Sequence, residues 1–293
     1  VAASFGLASA LSVVVLGDES GYTAGHNQKM KIAAIEAMWH TEPAPASFTV
    51  FGVPDVAGSK TDFAIEVPWV LGLIATRSVD TPVPGIDELV EMAKTRIRSG
   101  MIAYDALDKL HKDRGNAQLR ATLDAHVADL GYALLLKRSR PDVQNASDAE
   151  IEAAANNTIP NVPVLFWSFR VMVAVGFWLI ALFALSFYLS ARRKLDSYRP
   201  YLWAVLFSLP LPWVAIELGW IVAEYGRQPW AVEGVLPTFL GVSSTDASNV
   251  LLSLLGFIVF YSALLIVDVF LLAKYIRLGP DATLGQTAKE EAA

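Results

Sequence analysis

The chain has 293 residues, of which 54% are hydrophobic and only 18% charged, with a mean hydropathy of +0.42. That balance excludes an ordinary soluble domain of this length and points to a membrane protein. A formal net charge of −6 argues against nucleic acid as a partner, and the absence of cysteine excludes disulfides, thiolate metal sites and cysteine nucleophiles.

The first element in chain order is VAASFGLASALSVVVLG (1–17). It is slightly short of the roughly 20 residues a bilayer demands and reads as the end of a truncated span. Val1 is not an initiator Met and opens inside an apolar stretch with no basic residues before it. A signal peptide fits poorly, and a piece of a longer chain fits better. Residues 18–162 are polar on average and read as one large loop, mostly helical. Within it, QKMKIAAIEAMWH (28–40) is a short amphipathic helix stopped by the Pro43 and Pro45 pair. FAIEVPWVLGLIA (63–75) carries Glu66 and Pro68, is too short to span, and reads as core or an interfacial segment. Apolar residues three and four apart predict helices over 86–112 and 116–138, with Gly115 between them. ASDAEIEAAAN (146–156) opens on a Ser/Asp cap and makes a last short helix before Pro160.

Three stretches then have full membrane length: 163–191, 201–224 and 248–275. The expected fold is all-α, a polytopic transmembrane helix bundle of three full spans plus one truncated span, with a large helical extracytoplasmic loop. Its parts are 1–17, 18–162 and a three-helix transmembrane region with a C-terminal tail, 163–293. Arg192, Arg193, Lys194 and Arg199 crowd the connection between the second and third spans, and Lys274 and Arg277 follow the fourth. By the positive-inside tendency these ends are cytoplasmic, and the 18–162 and 225–247 loops face outside.

Chemistry concentrates on the spans. Trp213, Glu217, Trp220 and Glu224 are spaced four, three and four apart, which predicts one stripe on one helical face. A carboxylate in a membrane helix costs about 2.5–3.5 kcal/mol and usually faces a partner or an internal cavity. Glu224 is near enough to the outer end to reach water; Glu217 is one to two turns deeper. The second span carries Arg170 and Met172 within about three turns of its outer end. Alone they read as a snorkelling Arg and a packing Met; together they offer a cation beside a soft thioether, as a haem b site requires. All four histidines (His26, His40, His111 and His126) fall in the outer region. Asp268, deep in the fourth span, is open to either a packing role or a proton path. Lys31 and Glu36 on the 28–40 helix read as a solvated face; a donor-and-base pair for a hydroxyl is chemically open to them, but spacing alone does not propose it.

GRQPW (226–230) followed by LPT (236–238), GDESGY (17–22), KIAAIEAMW (31–39), FGVPD (51–55), IATRSVDTP (74–82), FRVMVA (169–174) and RLGP (277–280) stand in order along the chain. Together they resemble subunit I of cytochrome bd, the bacterial quinol oxidase, over its last four spans and a quinol loop of the long type. The resemblance implies a quinol:oxygen oxidoreductase with low-spin haem b, high-spin haem b and haem d. It implies Met172 as a ligand of the low-spin haem b iron, with Arg170 beside that haem. It implies Glu224 as a ligand of the high-spin haem iron, Trp220 packed among the haems and Arg227 near their propionates. Lys31 and Glu36 match loop residues implicated in quinol oxidation. The family's two histidine ligands belong to helices that would precede Val1, so this stretch alone is not expected to assemble a competent haem set. Implied partners are subunit II, a small accessory subunit, membrane lipid, ubiquinol or menaquinol, and oxygen, in a bacterial inner membrane. A membrane anchor, transporter subunit or assembly module displaying a helical extracytoplasmic domain fits composition and topology equally well.

Overall fold

The computed structural model describes residues 1–278, and the chain divides after Gly241 into two units. The tail beyond Leu278, expected to be cytoplasmic, and the last two residues of RLGP lie outside the described residues.

In the first unit, helix α1 (Ala2–Asn27) continues past Gly17, where the span was expected to stop. The GDESGY segment therefore belongs to the helix and does not open the loop. Arg77 bridges Asp18 and Glu19, and its guanidinium lies 4.0 Å over the Tyr22 ring, covering the polar end of α1. Helix α2 (Lys29–Glu36) is shorter than the 28–40 expectation because Ala37 adopts a left-handed conformation (φ 51°), well before the proline pair. There follows a hairpin that helical periodicity did not predict: β1 (Phe48–Asp55) pairs antiparallel with β2 (Lys60–Val67). Its two register irregularities fall between Thr49 and Phe51 and between Phe51 and Val53, which hides the two-residue alternation that marks a strand. The 63–75 run thus splits into the end of β2 and a short helix α3 (Val70–Thr76).

The rest of the loop follows its sequence pattern closely. Helix α4 (Ile86–Lys112) has the predicted bounds. The 116–138 segment is helical but subdivided into α5 (Ala117–His126), a 3-10 turn (Val127–Asp129), α6 (Leu130–Leu134) and a second 3-10 turn (Leu135–Arg138). Helix α7 (Asp148–Asn156) starts on a capping box in which Ser147 and Glu150 satisfy each other's backbone N–H groups.

Helix α8 (Val162–Ala191) begins at Asn161, whose side chain accepts from the Val164 N–H. It packs against both α1 and α10. The third span is not one uniform helix. It runs as α9 (Arg199–Phe207), then α10 (Leu211–Trp220), then a π-helical turn over Ile221–Tyr225. Pro210 and Pro212 lack the N–H that would carry the ladder through, which explains the first break. Beside the break, the Ser208 hydroxyl donates to the Ala204 carbonyl at 2.7 Å and accepts from Trp178 Nε1 at 2.8 Å, tying this point of the span to α8. Past the span, β3 (Trp230–Val232) and β4 (Leu236–Pro237) form a small hairpin.

One core joins the loop to the membrane helices. Ile86, Ile97, Ala133, Leu136, Val143 and Ala155 from the loop are packed in the same cluster as Leu165 and Phe166 of α8, both with no exposed surface. Each fully buried side chain of this size stabilises by about 1.5–3 kcal/mol, so the loop is anchored to the start of α8 by its interior. The second unit consists of helix α11 (Ala247–Leu278), exposed throughout, Asp268 included. Among the described residues, four helices are long and apolar enough to cross a membrane: α1, α8, the Arg199–Tyr225 span and α11. The all-α polytopic reading holds, with two small hairpins as the exceptions.

Candidate functional site

Helix α2 is the strut of the site. Lys31 and Glu36 are five residues apart, so they leave the helix in different directions, and each reaches a different membrane helix. Lys31 is nearly buried and donates from Nζ to the Ala223 carbonyl at 2.9 Å, inside the π-helical turn. Glu36, 4% exposed, meets Arg170 of α8, with Oε2 3.2 Å from Nη2.

Around Arg170 the polar groups are nearly all satisfied. Its Nη1 donates to the Ile35 carbonyl at 2.7 Å and the Phe166 carbonyl at 3.1 Å, and Nη2 also donates to the Thr49 carbonyl. The Thr49 N–H donates in turn to Glu36 Oε2 at 3.1 Å, so strand β1 closes the pair from the third side. The guanidinium lies 3.3 Å over the Phe166 ring. Burial pushes the Glu36 carboxyl up to about 7, although Arg170 and the Thr49 N–H both pull it down. Burial in a dry setting costs an ionised carboxylate more than one neighbouring cation returns.

At the other end of α2, Lys31 shares its surroundings with Glu224, Arg227 and Glu233. Burial and the Arg227 charge hold the Lys31 ammonium below its usual range, against Glu233 and Glu224. Arg227 pairs with Glu224 three residues earlier, and both side chains are about a third to two-fifths exposed. A cavity of about 340 Å³ opens beside Lys31, between α2, α4, α6 and the β3–β4 hairpin. A second cavity, about 300 Å³, lies against Glu36, Trp39 and the β1–β2 hairpin.

Met172 leaves α8 on the side away from Arg170, two residues on. Its Sδ lies 3.1 Å from where a Cβ on Gly219 would stand, so the glycine lets the thioether seat closely on α10 and an added methyl would push it by a few tenths of an ångström. Glu224 sits on the π-helical turn, the kind of local insertion that often re-aims a side chain at functional sites. Trp213, Glu217 and Trp220 are exposed, the tryptophans at 68% and 62%, so the described residues do not close the lined interior expected around this stripe. His26, placed in the outer region from sequence, ends α1 and lines the Lys31 cavity.

The residues fit one wall of a haem enclosure by their chemistry. Met172 offers a soft sulfur and Glu224 an oxygen, the donor types that iron accepts. Arg170 and Arg227 each keep a buried Nε–H with no hydrogen-bond partner among the described residues, as does Trp39 at Nε1. A buried unpaired guanidinium N–H is costly and suits a carboxylate such as a propionate. Sequence spacing did not flag Thr49, Arg96 or Glu233; the two hairpins bring in Thr49 and Glu233, and α4 brings in Arg96.

The whole chain bears on family membership. A family model described as "Cytochrome bd terminal oxidase subunit I" matches residues 1–280. The chain is 38% identical over 278 residues to cytochrome bd-II ubiquinol oxidase subunit 1 of Escherichia coli (strain K12), covering 95% of this chain and 54% of that protein. It is 27% identical over 279 residues to cytochrome bd ubiquinol oxidase subunit 1 of Bacillus subtilis (strain 168), covering 94% and 47%. It therefore spans about half the length of these curated relatives. With the GRQPW turn, the Arg170–Met172 pair and the Lys31–Glu36 helix joined in one unit, and a family match running nearly from end to end, this chain belongs to the cytochrome bd terminal oxidase subunit I family.

Proposed function

We propose that the chain works as part of a bd-type quinol:oxygen oxidoreductase, with quinol oxidised at the 18–162 loop on the outer membrane face. The observation that carries this is the double attachment of α2. Glu36 pairs with Arg170, two residues from Met172, and Lys31 bonds the carbonyl of Ala223, next to Glu224. A loop helix bearing a donor and an acid is thus fastened to positions two residues from Met172 and one from Glu224, the candidate iron ligands. A non-catalytic anchor has no need of two buried charges joined to its spans in this way.

In this reading low-spin haem b, high-spin haem b and haem d supply, when bound, one-electron carriage and oxygen-reducing iron. Met172 and Glu224 would hold iron, Arg170 and Arg227 would face propionates, and Trp220 would pack beside the rings. The Glu36–Arg170–Thr49 set fixes the position of α2 against α8. Lys31 donates a hydrogen bond to the quinol oxygen. Partners would be subunit II, a small accessory subunit and membrane lipid, and the substrate a ubiquinol or menaquinol. The basic connection at 192–199 and the C-terminus would be cytoplasmic.

The test is a reduced-minus-oxidised spectrum of the full-length protein purified with its partner subunit. A chlorin-type band in the red and quinol-dependent oxygen uptake are expected; lack of the band defeats the haem d assignment. Met172→Leu should selectively alter the low-spin haem b signal while the other haem bands stay in place. An unchanged spectrum would leave Met172 as a packing residue on Gly219.

A further inference from the structure

We propose that Glu233 is the proton-accepting group of the Lys31 cavity, taking the quinol hydroxyl proton and passing it to solvent. The proposal rests on the quinol oxidase reading and adds to it a residue outside the Lys31–Glu36 helix.

Glu233 lies in the turn of the β3–β4 hairpin, on the wall of the 340 Å³ cavity that Lys31 also lines. That volume is at the lower end of the roughly 300–1,000 Å³ usual for small-molecule sites. The cavity has the makings of an aromatic headgroup site: Trp230 and Tyr132 with ring centroids 5.0 Å apart, and apolar Met30 and Met92 beside them. The charged and titratable groups facing it are His26 from α1, Lys29 and Lys31 from α2, Arg96 from α4 and Tyr132 from α6. Glu233 is the only carboxylate among the described residues lining it.

Each basic neighbour but Lys29 and His26 is already engaged. Arg96 Nε donates to Asp129 at 2.6 Å and its guanidinium covers the Tyr132 ring at 4.1 Å; Lys31 donates to Ala223. Among the described residues, burial and the Lys31 and Arg96 charges act on the Glu233 carboxyl but no hydrogen bond does. Burial pushes it up to about 7, so it exchanges a proton near neutrality. Glu36, by contrast, is held by Arg170 and the Thr49 N–H on the other side of α2.

The step balances as follows. Lys31 holds one quinol oxygen, the O–H bond breaks toward Glu233, and the bonding pair stays on oxygen. Two electrons leave for two ferric haem equivalents, and the quinol becomes quinone. Glu233 delivers the first proton to water at the cavity mouth and then takes the second. Because the accepting form is the ionised carboxylate, kcat/KM rises with pH through about 7.

The experiment uses the intact oxidase with all its subunits, measuring oxygen uptake with a short-chain quinol across pH. A one-electron artificial donor that bypasses the loop is measured in parallel. Glu233→Gln should lower quinol turnover roughly tenfold or more and remove the rise near neutrality. Turnover with the artificial donor and all haem bands should stay as in the wild type, and Glu233→Asp should restore part of the quinol activity. A Glu233→Gln enzyme with wild-type quinol kinetics and pH profile overturns the proposal. So does a profile whose rise persists in Glu233→Gln but is lost in Glu36→Gln. Wild-type kcat/KM lacking any ionisation between about pH 6 and 8 overturns it without a variant. Failure of the wild type to oxidise quinol at all overturns the underlying reading instead.

Discussion

Arg170→Leu is expected to destabilise the loop–span junction by about 3–5 kcal/mol, the usual loss when one partner of a buried ion pair is removed. The guanidinium serves four acceptors at once: the Ile35, Phe166 and Thr49 carbonyls and the Glu36 carboxylate. Leucine leaves all four without that partner, in a pocket where neither side chain of the pair is more than 7% exposed. Glu36 must then either remain charged without a cation or bind a proton. Glu36→Gln is the informative contrast. The amide oxygen can still accept from the Thr49 N–H and Arg170 keeps its three carbonyls, so about 1–2 kcal/mol should be lost. Thermal unfolding of the detergent-solubilised complex orders the two. Equal losses would mean that the ion pair, and not the carbonyl cage, holds α2 to α8.

Gly131→Ala should be the most damaging change of a single methyl. An added Cβ on Gly131 would stand 2.1 Å from the Gly234 carbonyl oxygen and 2.6 Å from Val235 Cα, both backbone atoms that cannot swing aside. Either α6 or the β3–β4 hairpin must move, at about 1–3 kcal/mol or somewhat more. Because that hairpin carries Glu233 and Trp230, the Lys31 cavity should deform with it. A lowered unfolding temperature together with a raised KM for quinol, at unchanged haem content, is the expected pair of results. Unchanged stability would show that the two backbones are not in contact.

The long helices were legible because they repeat one rule. Every turn of α4 places an apolar residue toward the core, so Ile86–Lys112 could be bounded from spacing alone. The Ser/Asp cap marked the start of α7 equally well, and the structure completes it as a capping box between Ser147 and Glu150. Where a local device interrupts the rule, legibility fails. The left-handed Ala37 ends α2 early, the irregular register of β1 masks its alternation, and a π-helical turn at Ile221–Tyr225 breaks the α-helical period just where the Trp213–Glu224 stripe ends. None of these is carried by composition or period; each is chosen by what packs against it.

The site divides in the same way. Arg170 and Glu224 stood out because an ionisable side chain inside a span is costly without a partner, and that cost is visible in a string of letters; Met172, Arg227, Lys31 and Glu36 drew their roles from the resemblance to the oxidase subunit. Their partners were not visible. Glu36 and Arg170 are separated by 134 residues and Lys31 and Ala223 by 192. Glu233 read as one more loop charge until the β3–β4 hairpin set it on the wall of the Lys31 cavity. The sequence by itself therefore determined the membrane class, the three full-length spans, the larger loop helices and the resemblance to the family. Only the tertiary structure decided which charge faces which, because burial and pairing depend on chain segments meeting across distances that no local periodicity encodes.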